Sequence, residues 1–244
     1  MKKNIEIISL IYKSVAYLDL IVSELKKDYC KVKNWDIGIR IVANDATPKV
    51  LDALKAYNIP YLVYNDKNPM DYYLNKVYRC WNYAGQTSAY DNICFVNSDM
   101  VFSDDWLSNL LKAHDGINIP CSRLVESGKL LSGKYAIGNK NFGKTAKEIN
   151  YVDWYDYVDT NKVQSWNDGG LFMPCVFEKE RFLESGMYPE GNIYADGCAG
   201  SLRGGVVMSG DAWYFQLLQD RYNMKHITVF DSIVYHIQEG EKDE

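Results

Sequence analysis

Through the first half of the chain, apolar runs of strand length alternate with segments whose apolar residues recur every three or four positions. This alternation narrows the possible folds more than any other feature. Asn4 to Tyr12 reads as a buried strand, and Ser14 can cap a following helix in which Val15, Leu18, Val22, Leu25 and Tyr29 share a face. Ile37 to Ala43 is a second strand; Thr47 at the N-cap and Pro48 in the first turn then open a helix carrying Leu51, Leu54 and Tyr57. Tyr61 to Tyr64 is a third strand, followed by the turn-rich Asn65 to Pro69, a helix bearing Tyr73, Leu74, Val77, Trp81 and Ala84, and the strand Ile93 to Val96. Strands alternating with helices pair in parallel through right-handed crossovers, so the expected class is α/β with a mostly parallel central sheet flanked by helices. Ligands of such open sheets sit beyond the carboxyl ends of the strands.

The stretch FVNSDMVFSDDWL, Phe95 to Leu107, lies at such an end. Carboxylates are costly to bury, so acids at the end of a buried strand point to a metal or a proton in transfer. Asp99 is therefore a candidate ligand, or else a cap of the turn after the strand. Asp104 and Asp105 precede a helix and read as first-turn acids favoured by its dipole.

The second half is less periodic. Lys129 to Asp168, rich in Gly, Lys, Asn, Tyr and Trp, reads as long loops. Leu171 to Phe177 is a strand, Lys179 to Ser185 a short helix, Gly191 to Gly205 a glycine-rich loop containing Arg203, and Asp211 to Tyr222 a helix. His226 to Phe230 and Ser232 to His236 are two closing strands, and Glu239 to Glu244 a solvated tail. Nothing divides the 244 residues into separate domains, and 47% hydrophobic content suffices for one large core. The net charge of −5 gives no reason to expect a nucleic-acid partner. Lys2-Lys3 precedes only the apolar run Ile5 to Tyr12, too short and too polar at Glu6 and Ser9 for a signal peptide or a membrane span. The six cysteines are scattered without a C-x-x-C, as expected of a cytoplasmic protein with reduced thiols.

Several pieces, in order, resemble glycosyltransferase family 2. They are the strand end Leu10-Ile11-Tyr12, Asn44-Asp45, Asn97-Ser98-Asp99 with Asp105-Trp106-Leu107, and Gly169 to Met173. Arg181-Phe182, Gly186 to Glu190, Gly210-Asp211 and Val234-Tyr235-His236 follow. The resemblance covers about Ile5 to His236 and implies a GT-A fold, a nucleotide-diphosphate sugar donor and Mn²⁺ or Mg²⁺. Two positions depart from the family pattern: Asn97 replaces the first acid of D-x-D, as in members resembling rhamnosyltransferases, and Gly210 replaces one of an acidic pair. The glycine-rich loop after Pro189 is also longer than in the family.

The resemblance implies a donor half at 1–115 and an acceptor and catalytic half at 116–244. Asp99 and His236 would be the metal ligands, the imidazole favouring Mn²⁺; the alternative for His236 is an ordinary strand-end histidine. Asp211 would be the base that takes the acceptor proton in an inverting displacement, although Asp before Ala-Trp-Tyr-Phe is also a good N-cap. Asp45 would read a uracil or thymine imide, or form an Asx turn. Ile11 and Tyr12 would wall the base pocket, Arg79 would meet phosphate or lie on the surface, and Asn97, Ser98, Gly170 and Trp213 complete the expected substrate contacts. Trp154, Tyr155, Tyr157 and Trp166 are either an acceptor-sugar platform or loop packing. The acceptor stays open among a glycan, a lipid-linked glycan, a protein and a modified nucleobase. Two other readings are a catalytically silent nucleotide- or sugar-binding protein and a sugar nucleotidyltransferase. The second lacks its glycine-rich loop, since Leu10 to Ser14 contains no glycine.

Overall fold

The computed structural model describes residues 3–27, 30–128, 131–170, 173–200 and 204–238. The helical position Tyr29, the strand residues Leu171 and Phe172, Arg203 and the tail from Glu239 lie outside them.

The first half follows the alternation. β1 (Lys3–Ile11), β2 (Trp35–Asn44), β3 (Tyr61–Tyr64) and β4 (Asn92–Val96) are separated by α1 (Val15–Leu25), α2 (Pro48–Ala56) and α3 (Tyr73–Gln86). Ser14 Oγ accepts the Tyr17 N–H and Thr47 Oγ1 that of Val50, each at 3.4 Å, so both expected caps are in place. The order β3-β2-β1-β4 is parallel throughout. Residues alternate across it: Ile7 and Cys94 face one apolar core with α1 and α2, while Ile8 and Phe95 face a second core with Trp81 of α3.

The rest is mixed. β5 (Met100–Phe102), α4 (Trp106–Ala113), β6 (Asn118–Glu126), α5 (Tyr151–Asn161), β7 (Trp166–Asp168), β8 (Cys175–Glu178) and α6 (Lys179–Glu184) lead to a small hairpin, β9 (Ile193–Tyr194) and β10 (Val206–Met208). α7 (Gly210–Tyr222) and β11 (Lys225–His236) follow. The nine-stranded sheet runs β3-β2-β1-β4-β8-β6-β11-β5, with β7 also on β11. β8 is antiparallel to β4 and β6, whereas β6 and β11 are parallel. Among the described residues no helix is long and apolar enough to cross a membrane.

Three expectations change. The segment read as loops contains α5, capped by Asn150, whose Trp154 is fully buried against Phe142 and Tyr235. Trp154 is thus core and offers no sugar-stacking face. The two closing strands are one strand, β11, with a register shift between Val229 and Ile233 that absorbs the polar Asp231-Ser232. β9, inside the glycine-rich loop, pairs with β10, which follows the loop just before α7.

One constraint places the site. Only Asn97, Ser98 and Asp99 link β4 to β5, a span of at most about 14 Å. β5 nevertheless pairs with β11 at the far edge of the sheet. The far edge must therefore curl back to the carboxyl end of β4, carrying the end of β11 with it.

Candidate active site

Strand register brings the first group together. β11 lies between β6 and β5, with His236 opposite Glu126 on one side and Met100 on the other. Asp99 directly precedes Met100, and its carbonyl accepts the Ile237 N–H at 3.0 Å. His236 Nε2 stands 3.2 Å from Asp99 Oδ2, and Nδ1 stands 3.1 Å from Glu126 Oε1. Burial alone would lower the imidazole pKa, but the charge and hydrogen bond of Asp99, followed by those of Glu126, outweigh it and raise the value to about 10. Burial likewise pushes the Asp99 carboxyl up, and the adjacent imidazolium more than reverses this, leaving it below the usual carboxylate range.

Asp211 comes from a different element. α7 starts one residue earlier than expected, with Ser209 at the N-cap and Asp211 in the first turn, so Asp211 is not the cap. Its Oδ1 accepts the Ala212 N–H at 2.8 Å, and its own N–H donates to the Tyr78 hydroxyl at 3.1 Å. Burial raises the Asp211 carboxyl pKa, although hydrogen bonds from Ser209, the Ala212 N–H and Tyr78 pull the other way. The glycine before it has a steric cause: a Cβ on Gly210 would lie 2.5 Å from the Gly191 carbonyl oxygen and 3.0 Å from the Tyr78 ring. This turn therefore has room for one acid, not two.

Both groups open on one cavity of about 500 Å³. Leu10, Ile11, Tyr12 and Asn44 wall one end; Tyr73, Leu74, Val77, Tyr78 and Trp81 of α3 form a side; Asn97, Ser98, Asp99 and Met100 form the floor. Leu124, Ser132, Met173, Ser209, Asp211 and His236 complete it. Of the residues singled out in the sequence, Ile11, Tyr12, Asn97, Ser98, Asp99, Asp211 and His236 meet here.

Asp45, Arg79, Gly170 and Trp213 are not among the lining residues. Asp45 has a left-handed backbone (φ 48°), accepts the Asp66 N–H at 2.8 Å and lies 3.4 Å from Lys76 Nζ. Arg79 is buried and bonds both oxygens of Asp66, at 2.8 and 2.9 Å, and Asp71 at 2.8 Å, which ties down the segment between β3 and α3. Arg79→Ala would strand the buried Asp66 carboxylate and is expected to cost about 2 kcal/mol in a urea titration. Gly170 sits where a Cβ would lie 1.6 Å from Thr228 Oγ1, so close backbone approach accounts for it. Trp213 packs, half-buried, on the core beneath α3 and α6. Asp105 is the N-cap of α4 and pairs with Lys162 at 3.1 Å.

Asn44, which the sequence offers only as the neighbour of Asp45, and Glu126 are not among the site residues expected from the sequence. Asn44 is 4% exposed, lines the cavity, and its Oδ1 has no hydrogen-bond partner among the described residues. Glu126 is an acid at the end of the buried run Leu124-Val125, the same signal that drew attention to Asp99.

The donor set fits a divalent cation. Two ligands side by side on an octahedral ion lie about 3 Å apart, close to the present separation of Asp99 Oδ2 and His236 Nε2. The second nitrogen of His236 is held by a carboxylate, as is usual for metal-binding histidines. Among the described residues no group of three His, Cys, Asp or Glu is placed to hold a metal ion, so coordination beyond Asp99 and His236 would fall to substrate oxygens and water.

No family model and no curated protein matches the sequence. Among solved structures the chain is similar to GalNAc-T7 with UDP, GalNAc and Mn²⁺, at 11% identity and a TM-score of 0.58 over 96% of this chain and 44% of that one. It is also similar to the mannosyltransferase PcManGT from Pyrobaculum calidifontis in complex with GDP-Man and Mn²⁺, at 10% identity and 0.59 over 98% and 59%. A third is S. aureus TarS 1-349 in complex with UDP, at 11% identity and 0.52 over 95% and 60%. The chain thus spans roughly half the length of these proteins, and what it shares with them is the GT-A fold.

Proposed function

We propose that the chain is an inverting, divalent-metal-dependent glycosyltransferase that moves a sugar from a nucleotide-diphosphate sugar, in the first instance UDP-linked, to an acceptor hydroxyl. The observation that carries this reading is the meeting of the Asp99–His236 pair and the half-buried Asp211 on one cavity of a GT-A fold. Residues 1–115 hold the donor, and 116–244 supply the acceptor side and the base. The similar structures hold UDP or GDP-Man, two of them with Mn²⁺, which supports the donor class. Cytoplasmic action suits six scattered cysteines with no C-x-x-C spacing.

Asp99 and His236 would hold the cation, whose Lewis acidity offsets the charge developing on the leaving diphosphate. Asp211 accepts the proton of the acceptor hydroxyl as that oxygen attacks the sugar carbon from the face opposite the leaving group. Tyr78 and the first turn of α7 keep its carboxylate aimed at the cavity. Product stereochemistry tests the inversion: the first product seen by NMR should carry the anomeric configuration opposite to the donor's, and retention would overturn it.

Asn44, rather than Asp45, then reads the base. A carboxamide can accept a ring N–H and donate to the adjacent carbonyl, an edge that uracil and guanine present and that cytosine and adenine do not. Asn44→Ala should weaken UDP binding about fivefold, from roughly 1 kcal/mol for one hydrogen bond. Asp45→Ala, whose carboxylate is engaged by Asp66 and Lys76, should change it by less than about twofold. Calorimetry showing the reverse order would return base reading to Asp45.

A further inference from the structure

Glu126 is a fully buried carboxylate at the end of β6, beyond the cavity wall. Four donors converge on it. Oε1 accepts from His236 Nδ1 at 3.1 Å, from Gln238 Nε2 at 2.7 Å and from the Ser132 hydroxyl, while Oε2 accepts the Ser132 N–H at 2.8 Å. Burying a carboxylate is unfavourable unless its lone pairs are satisfied, and this one is satisfied on both oxygens. Two of the three residues that satisfy it, His236 and Ser132, line the cavity.

We infer that Glu126 is the positioning residue of the cation site: by holding His236 Nδ1–H it leaves Nε2, and only Nε2, facing Asp99. The inference rests on the metal reading of Asp99 and His236. Without Glu126 the imidazole is free to rotate about its χ2 and to present either nitrogen, and the ligand pair is no longer preorganised. Glutamine is not a full substitute. With one oxygen and one NH₂ group it can accept from His236 or from the Ser132 N–H, but not from both.

The test is Mn²⁺ affinity, measured by calorimetry on the full chain with saturating UDP and separately with Mn²⁺ alone. Glu126→Ala should weaken Mn²⁺ binding about 10–100-fold, the usual consequence of losing an outer partner of a ligating histidine. Glu126→Gln, whose remaining oxygen can still accept from His236 Nδ1–H, should weaken it less. Ser132→Ala breaks another arm of the same network without touching His236; it should lower the metal-free Tm while leaving Mn²⁺ affinity within about threefold. Folding is checked by the metal-free Tm of each variant. Folded Glu126→Ala protein that binds Mn²⁺ as wild type does would overturn the positioning role. Equal losses in Glu126→Ala and Ser132→Ala would reduce Glu126 to wall stability and overturn it equally. Absence of Mn²⁺ binding to the wild-type chain would instead remove the metal reading, and this inference with it.

Discussion

Asp211→Asn is expected to lower kcat by roughly 10²–10⁴, the usual range for loss of general base catalysis, with donor affinity nearly unchanged. The substitution preserves shape and the acceptor for the Ala212 N–H, and Ser209 remains the helix cap, so only the proton acceptor is lost. A carboxylate bound to a divalent cation is a poor base, so the proposed mechanism gives the proton to Asp211 and not to Asp99. Two pH dependences follow from the burial that raises the Asp211 pKa. The acid limb of kcat/KM should fall above the ordinary carboxylate range and disappear in Asp211→Asn. Stability should show the opposite preference. A group whose folded pKa is raised contributes stability below its unfolded pKa and loses it as pH rises through the folded value. Asp211→Asn should therefore raise Tm at pH 7, with the gain fading as the pH falls towards the ordinary value of 3.8. A variant keeping more than about a tenth of wild-type turnover would exclude Asp211 as the base. Loss of donor binding would move it to the phosphate side of the site.

The second large effect concerns the ligand pair. Adding Mn²⁺ should tighten nucleoside diphosphate binding by an order of magnitude or more, and Asp99→Ala or His236→Ala should each abolish most of that gain. The two substitutions should be strongly non-additive, because in the proposed site these side chains, 3.2 Å apart, would serve one ion and losing either would leave the other without a task. Equal UDP affinity in EDTA and in Mn²⁺ would count against both residues.

What the sequence discloses depends on how local each cause is. The β-α order, the Ser14 and Thr47 caps and the strand-end setting of Asp99 rest on short-range patterns and are found where expected. α5 was hidden because only Trp154 and Val158 of its residues are buried, too few to mark a helical period. β11 looked like two strands because Asp231-Ser232 falls in its register shift. The exchange of Asp45 for Asn44 at the cavity is a matter of one residue at a strand end. Side chains on a strand alternate between faces, and the left-handed turn at Asp45 directs its carboxylate to Asp66. Glu126 contacts His236 across 110 positions, a meeting set by strand register and invisible to any local window.

The most direct measurement is release of nucleoside diphosphate from a panel of UDP- and GDP-sugars by the wild-type chain, in Mn²⁺ and in EDTA, beside Asp211→Asn and Asp99→Ala. If water can replace the acceptor, this reads out before the acceptor is known. Metal-dependent release from at least one donor, reduced in both variants, with UDP still bound by Asp211→Asn but bound by Asp99→Ala no better in Mn²⁺ than in EDTA, is the predicted result. Tight, Mn²⁺-dependent binding of a nucleotide sugar with no release under any condition, and none on adding glycan, lipid-linked or protein acceptors, would contradict catalysis and leave a sugar-nucleotide binding protein on this fold.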